Sequence, residues 1–204
     1  MNKILELYNE LLELYGLQGW WPIKGVYHKE NYSYPRNEQE QFEVIIGAIL
    51  TQNTAWTNVE TAIENLRNIK CVDAEQILAT SKEKIREAIK PAGYFNQKTD
   101  YLVNIAWFYK QLNGKTPTRE ELLAVKGVGN ETADSIMLYA YNQPEFIVDA
   151  YTKRLLTKKG LITGKESYEA IKILFEKNLP KDVKLFQEYH ALIVEEGKKN
   201  SITS

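Results

Sequence analysis

Apolar residues recur at helical spacing along almost all of this 204-residue chain, and no stretch alternates between apolar and polar residues as a half-buried strand does. The segment Ile4–Tyr15 is amphipathic and ends at Gly16, a typical helix stop. Residues 42–50 are apolar almost all round, which predicts a fully buried central helix. The pattern predicts nine or ten helices and no sheet. The other predicted helices cover about 55–68, 82–89, 96–112, 118–123, a segment from 130, 150–159, 168–177 and 183–198.

The composition is ordinary for a globular protein, with 44% hydrophobic residues and a net charge of −1. The single cysteine, Cys71, excludes an internal disulfide and a cysteine-rich metal or iron–sulfur site. Near-neutrality argues mildly against a nucleic-acid binder unless the charge is unevenly distributed. Lys153, Arg154, Lys158 and Lys159 do crowd one segment, although such a run is often only a solvated helix face. With no membrane-length apolar run and no signal-peptide pattern, we expect an intracellular, cytoplasmic protein.

A glycine-containing turn at Lys126-Gly127-Val128-Gly129 separates two short helices. Thr118 and Glu121 form a capping box that opens the first helix, and the second begins at Asn130. Two glycines permit a tight turn, and the start of the second helix presents amide groups and a positive dipole end to an anion such as a phosphate. The alternative is a plain hairpin of two helices with a glycine turn.

One carboxylate follows this hairpin at an expected helix start. Ile147 and Val148 precede Asp149, and the next predicted helix begins at Ala150. Two apolar residues before it are consistent with a partly buried carboxylate held by the amides of the first turn. An ordinary N-cap is the alternative, and the two interpretations are compatible.

The string LLAVKGVGNETAD, residues 122–134, resembles the helix-hairpin-helix of the DNA glycosylase superfamily that includes endonuclease III. The resemblance implies that the hairpin binds DNA. The implied DNA-binding residues of the hairpin are Lys126, Gly127, Val128, Gly129 and Thr132.

The segment from Asp149 to Arg154 reproduces the spacing around the superfamily's catalytic aspartate, which implies a catalytic Asp149 and a DNA-binding Arg154. A carboxylate suits glycosidic cleavage because it stabilises positive charge on the sugar, or orients or deprotonates a water. The sequence leaves these roles open.

The position that carries a lysine in strand-nicking members of the superfamily is Glu131 here. A carboxylate cannot form a Schiff base, so the resemblance implies a glycosylase without lyase activity. Residues 192–194 resemble the helix before the family's iron–sulfur loop, but no cysteine follows. We therefore expect no iron–sulfur cluster and no required cofactor, and keep a monovalent cation at the hairpin as an alternative.

Trp20-Trp21-Pro22, the string Leu-Thr-Gln-Asn-Thr at residues 50–54 and Glu131 resemble the type III 3-methyladenine DNA glycosylases, and this likeness runs from about residue 20 to 198. It implies a pocket for a flipped base, and a cationic alkylated purine is attracted to aromatic faces. Adjacent tryptophans that only fill a lobe interface are the alternative. The implied pocket residues are Trp20, Trp21, Pro22, Phe42, Glu131 and Lys198.

Two loops resemble those that hold a duplex open around a flipped base. Gln52, with Asn53 beside it, would fill the space that the base leaves, and Tyr94 would wedge the opposite strand. Packing of Tyr94 onto the core is the alternative.

We expect an all-α fold of two helical lobes with the active-site cleft between them. Residues 31–133 would form a six-helix barrel with the hairpin at 122–133, and residues 1–30 plus 134–204 the second lobe. The expected function is removal of 3-methyladenine-like alkylated purines from duplex DNA by a monomeric, nucleoid-associated enzyme with no membrane partner. A bifunctional glycosylase/lyase for damaged pyrimidines and a non-catalytic DNA-binding module are the alternatives.

Overall fold

The computed structural model describes residues 2–201, and this part of the chain folds into eleven α-helices with no strand beyond an isolated bridge between Ile23 and Val26. The predicted all-α class is therefore confirmed. The ends of the predicted second lobe, residues 1 and 202–204, lie outside the described residues. The helices are α1 Lys3–Tyr15, α2 Glu38–Leu50, α3 Trp56–Asn68, α4 Ala74–Ala79, α5 Lys82–Ile89, α6 Phe95–Leu112, α7 Arg119–Leu123, α8 Asn130–Ser135, α9 Ala150–Lys158, α10 Tyr168–Asn178 and α11 Val183–Ser201.

The chain divides into two compact units. One, the continuous unit, is Tyr34–Ile136. The other, the discontinuous unit, combines the described residues up to Ser33 with those from Met137 onward. α1 therefore belongs with α9, α10 and α11, whereas α2 to α8 fold together.

The continuous unit is built around α2, which is buried on all sides over residues 42–50, as the apolar sequence there predicts. Phe42 is fully buried there, and its ring lies 5.0 Å from that of Tyr109 on α6. A buried carboxylate on the same helix, Glu43, is paired with Arg67 of α3 at 2.8 Å. That partner satisfies a charge which would otherwise be costly to bury.

The discontinuous unit has an aromatic core. Phe146 and Phe175 stack with ring centroids 3.8 Å apart, and Tyr189 of α11 packs edge-on against both. The Tyr189 hydroxyl donates to the Ile4 carbonyl at 2.7 Å, which attaches α1 to α11. This core packs α11 against α10 and α1 within the unit.

Local signals account for most helix ends. The capping box of Thr118 and Glu121 is present at α7, and Ser81 caps α5. Two features departed from the predictions. The six-residue α4, capped by Asp73, was missed, and α8 runs on into a π-helical turn at Ile136–Ala140. Within residues 2–201, no helix is long and apolar enough to span a bilayer.

Candidate active site and nucleic-acid interface

The hairpin lies in the continuous unit, between α7 and α8. Gly127 adopts a φ of 103°, and a Cβ atom there would lie 2.2 Å from Cγ of Tyr101 on α6. Only glycine lets the turn pack against that ring. Asn104, one helical turn further along α6, donates from Nδ2 to the Lys126 carbonyl at 3.1 Å. α6 therefore supports the turn directly.

Gln52 contacts the hairpin instead of projecting away from it. Its Nε2 donates to the Gly127 carbonyl at 2.9 Å and to the Thr132 hydroxyl at 3.0 Å. The end of α2 is thus fastened to both sides of the turn. To enter a duplex, this side chain would have to exchange those two hydrogen bonds for contacts with DNA.

A buried lysine joins the two loops predicted to enter DNA. Lys98, 2% exposed, donates to the carbonyls of Leu50 at 2.7 Å and Ala92 at 2.8 Å. Burial lowers the pKa of Lys98 to about 8. Leu50 ends α2 just before Gln52, and Ala92 ends a 3-10 turn just before Gly93 and Tyr94.

Tyr94 stands in the left-handed region, with φ 45° and ψ 31°, and 68% of its surface is exposed. Asn53, the neighbour of Gln52, is also left-handed with φ 54° and is exposed. A bulky non-glycine residue in this region carries backbone strain, and such strain concentrates at functional positions. The exposure does not match the alternative that Tyr94 packs onto the core.

Asp149 lies in the discontinuous unit and caps α9. One of its oxygens, Oδ1, accepts hydrogen bonds from the amide of Thr152 at 2.7 Å and from its hydroxyl at 2.8 Å. The other, Oδ2, faces Nε2 of His190 on α11 at 3.7 Å. The side chain is 11% exposed, and its two oxygens have different neighbours, the start of α9 at Oδ1 and His190 at Oδ2.

The surroundings of Asp149 keep it ionised. Burial raises the pKa of this carboxyl, but His190 and the two hydrogen bonds from Thr152 outweigh burial and hold the pKa below its usual value. The start of α9 also favours negative charge at the capping position. The site therefore presents a carboxylate at neutral pH.

Trp20 and Trp21 occupy different environments. Trp21 is buried, with its ring 5.2 Å from that of Tyr139, and Pro22 beside it is also buried. Trp20 is half-buried and meets Trp21 edge-on at 5.7 Å. The Lys198 ammonium lies 5.2 Å from the centre of the Trp20 ring. An aromatic face in this unit thus already has a cation over it.

α11 supports the tryptophan loop from below. The buried carboxylate of Glu188 accepts from the backbone amides of Gln18 at 2.9 Å and Gly19 at 3.2 Å. Gly19 is required there, because a Cβ atom would lie 2.3 Å from the amide nitrogen of Lys29. Glu188 was not predicted from the sequence, where it looks like one more acidic residue on a helix.

The predicted site residues are divided between the units. The discontinuous unit contains Asp149, Trp20, Trp21, Pro22, Lys198 and Arg154. The continuous unit contains the hairpin, Gln52, Asn53, Tyr94, Phe42 and Glu131. Glu131 is exposed in the first turn of α8, and Arg154 is exposed with its guanidinium 4.7 Å from the ring centre of Tyr151. Phe42 is wholly buried in α2, and its place in a base pocket stays a prediction.

A family model described as "HhH-GPD superfamily base excision DNA repair protein" matches residues 46–181, more than half of the chain. A Methanocaldococcus jannaschii protein provisionally named as a DNA repair glycosylase is 44% identical, over 97% of this chain and 88% of its own length. Endonuclease III of Thermotoga maritima is 32% identical, over 81% of this chain and 78% of its own. The chain therefore belongs to the HhH-GPD superfamily of base excision DNA repair proteins.

Solved structures agree with this assignment. The Helicobacter pylori 3-methyladenine DNA glycosylase, bound to 1,N6-ethenoadenine, superposes with a TM-score of 0.77 at 27% identity, covering 98% of this chain and 97% of its own. An endonuclease III–DNA complex gives 0.76 at 20% identity, covering 94% and 83%, which is a likeness of fold. The predicted membership of the helix-hairpin-helix DNA glycosylase superfamily is confirmed.

The residues of this chain do not fit a cysteine-ligated iron–sulfur cluster. The only cysteine is Cys71, which is buried in the continuous unit, whereas such a cluster needs several thiolates. Among the residues described, no group of three or more His, Cys, Asp or Glu side chains is arranged to hold a metal ion.

The glycine turn yields a matched pair of variants. Gly127→Ala forces a Cβ into Tyr101 at a positive φ, which should cost more than about 1 kcal/mol of stability. We expect it to lower the melting temperature and to weaken DNA binding on the order of tenfold, because phosphate contact depends on the turn. Binding is measured by fluorescence anisotropy on a duplex with an uncleavable abasic analogue.

Gly129→Ala is the control. Its φ is −98°, and a Cβ there meets no atom within 4 Å, so the fold should keep its melting temperature. If Gly127→Ala binds DNA and melts like the wild type, the turn is not the element that contacts the duplex.

Proposed function

We propose that this protein is a monofunctional, monomeric DNA glycosylase that hydrolyses the N-glycosidic bond of alkylated purines, of the 3-methyladenine kind, in duplex DNA. The observation that carries the proposal is the geometry of Asp149, a carboxylate whose Oδ1 caps α9 while Oδ2 faces Nε2 of His190 at 3.7 Å. The likeness to a 3-methyladenine glycosylase over nearly the full length of both chains supports the substrate class.

The chemistry follows from the charge of the carboxylate. Cleavage of the bond between sugar and base builds positive charge on the sugar ring, and a fixed negative charge close by stabilises that transition state. An N-alkylated adenine leaves as a neutral base, so the reaction needs no strong general acid. Asp149 serves as the electrostatic partner of the sugar and accepts a hydrogen bond from the attacking water.

The absence of lyase activity is proposed from Glu131. It occupies the position where lyase members of the superfamily carry their attacking lysine, and a carboxylate cannot form an imine with the sugar. Lys126, on the opposite side of the turn, is exposed, and a DNA phosphate is the partner that we propose for it.

The base is proposed to stack on Trp20, the more accessible of the two tryptophans. Trp21 and Pro22 support it from the buried side. Because Lys198 lies over the Trp20 ring in the free protein, an incoming base must share or displace that cation. Gln52 and Tyr94 are proposed to hold the duplex open, and Arg154 to bind a phosphate.

The decisive experiment is a base-release assay. Duplex DNA treated with a methylating agent is incubated with the protein, and free bases are separated by chromatography and identified by mass. We expect 3-methyladenine among the products and no release of oxidised pyrimidines from a matched oxidised duplex. Release of oxidised pyrimidines alone would replace the proposed substrate class with that of the bifunctional alternative.

A second test addresses strand cleavage. We expect intact abasic strands after base release, and no covalent complex when borohydride is added during turnover, because Glu131 offers no amine. Electrophoresis under denaturing conditions, with a lyase glycosylase as positive control, makes the measurement. A borohydride-trapped band that vanishes in Lys126→Met would assign lyase chemistry to that lysine instead.

A further inference from the structure

His190 of α11 is buried and lies between two groups that fix its orientation. Its Nδ1 is 2.9 Å from the hydroxyl of Tyr139, and its Nε2 is 3.7 Å from Oδ2 of Asp149. Tyr139 is fully buried in the π-helical turn, and its hydroxyl is also 3.1 Å from the Gln187 carbonyl. The imidazole ring therefore has a polar neighbour at each nitrogen.

The protons in this cluster can be placed by counting. The Tyr139 hydroxyl has one hydrogen for two neighbours, the Gln187 carbonyl and His190 Nδ1. If it donates to Nδ1, the neutral ring carries its proton on Nε2. If the hydroxyl donates to the Gln187 carbonyl instead, Nδ1 of His190 must carry a proton and donate it to the tyrosine oxygen. A ring that carries a second proton on Nε2 is then the imidazolium cation. An unprotonated Nε2 would place its lone pair opposite the negatively charged carboxylate, which is repulsive. The favourable states of His190 therefore all present an N–H from Nε2 to Asp149.

We propose that His190, oriented by Tyr139, is a positioning residue for Asp149 that directs Oδ2 toward the substrate. The inference rests on the proposed function above, and it adds a residue to that site. Thr152 already holds Oδ1, so His190 supplies the second point that fixes the plane of the carboxylate. No proton is transferred by His190 in this role.

The same cluster joins the carboxylate to the tryptophan loop. Tyr139 packs on Trp21, and its pKa is raised by burial and by the charges of Glu188 and Asp149. Tyr139 contacts His190 from the π-helical turn, and Glu188 of α11 is the other charged group that acts on Tyr139. The Glu188 carboxylate accepts from the amides of Gln18 and Gly19, so its charge already has partners outside the pair of His190 and Asp149.

The test compares His190→Gln with His28→Gln, which changes the only other histidine of the chain. Single-turnover release of 3-methyladenine is measured from pH 4 to 9, together with binding to abasic-analogue DNA and melting temperature. We expect His190→Gln to lower release roughly tenfold, because a carboxylate without this neighbour is placed less precisely for the reaction. DNA binding should change less than twofold, and His28→Gln should behave as wild type.

The pH dependence of base release distinguishes a positioning role of His190 from a purely structural one. His190 helps to hold the pKa of Asp149 down, so without it the carboxylate protonates at a higher pH, and the acid limb of the release profile must move to higher pH. Tyr139→Phe, which keeps the packing of the ring, should move the limb in the same direction by a smaller amount. This variant keeps the proposal testable even if His190→Gln does not fold.

Titration of Asp149 in the protein without substrate tests the role of His190 separately from the proposed glycosylase function. Carboxyl-13C-labelled aspartate reports the titration of Asp149, one of five aspartates, identified by its loss in Asp149→Asn. We expect this resonance to titrate at a higher pH in His190→Gln. An unchanged titration in folded His190→Gln and Tyr139→Phe overturns the role of His190. Wild-type protein that releases no alkylated purine, but whose Asp149 responds as expected, overturns the proposed function and leaves the pair intact.

Discussion

Asp149→Asn is expected to retain DNA binding and to lose base release on the order of 100-fold or more, the scale on which removal of one fixed electrostatic partner slows an enzyme. The structure explains why the helix cap should survive this substitution while the charge and the acceptor that face His190 are lost. An asparagine oxygen at the position of Oδ1 can still accept from the amide and hydroxyl of Thr152, and asparagine is as good an N-cap as aspartate. The helix should therefore stay capped while the negative charge at Oδ2 is gone.

The matched control is Asp73→Asn. Asp73 caps α4 through the amide of Gln76 at 2.8 Å, so the variant makes the same chemical change in the same capping role within the continuous unit. Release should be unchanged. The measurement is single-turnover release at saturating enzyme, with binding to abasic-analogue DNA in parallel. Near wild-type release by folded Asp149→Asn would remove Asp149 from the chemistry.

Trp20→Ala should produce the second-largest loss. Stacking of a base on an aromatic ring contributes about 1–3 kcal/mol, and a positive charge on the base adds on the order of 1–2 kcal/mol at a desolvated face. We therefore expect release of cationic 3-methyladenine to fall roughly 10- to 100-fold. Release of a neutral lesion such as hypoxanthine, if the wild type processes it, should fall less.

Two variants sharpen this result. Trp107→Ala removes a tryptophan that is 58% exposed on α6 and should have no effect on release. Lys198→Met removes the cation over Trp20 while keeping most of the side chain, so it should favour cationic over neutral bases. The release rates of cationic and neutral bases for both variants are measured by the same chromatographic assay, and melting temperatures check that the variants fold. If folded Trp20→Ala releases 3-methyladenine at the normal rate, the tryptophans are packing residues alone.

Sequence patterns were sufficient where local interactions determine structure. The Gly16 stop, the Ser81 cap and the capping box at Thr118 all depend on residues within one helical turn of each other. α4 was missed because six residues carry too little periodicity, and its stability comes from packing on α6. The π-helical turn was missed for a related reason, since the predicted period of 3.6 has no place for a wider turn.

The residues of the candidate site likewise include some that local sequence predicts and others that depend on how distant helices pack. The position of Asp149 was predictable because it follows a recognisable hairpin at a helix start. Its partner His190 was not, because the contact joins residues 41 positions apart and depends on how α9 and α11 pack. A histidine within the otherwise apolar face of α11 was the available signal. The burial of Phe42, in contrast, could be predicted from the sequence, because residues 42–50 are apolar almost all round.

The lysine bridge from Lys98 to Leu50 and Ala92 has a consequence for mutational coupling. Gln52 and Tyr94 lie on loops that are far apart in sequence. Each follows by two residues a carbonyl, of Leu50 or Ala92, that accepts from the same Lys98 ammonium group. Because both carbonyls share this one donor, we expect a displacement of one loop to affect the other. Substitutions at Gln52 and Tyr94 should not add independently while Lys98 is present, and they should become additive in Lys98→Met. If so, the two loops respond to mutation as one thermodynamic unit, joined by a lysine that is itself buried.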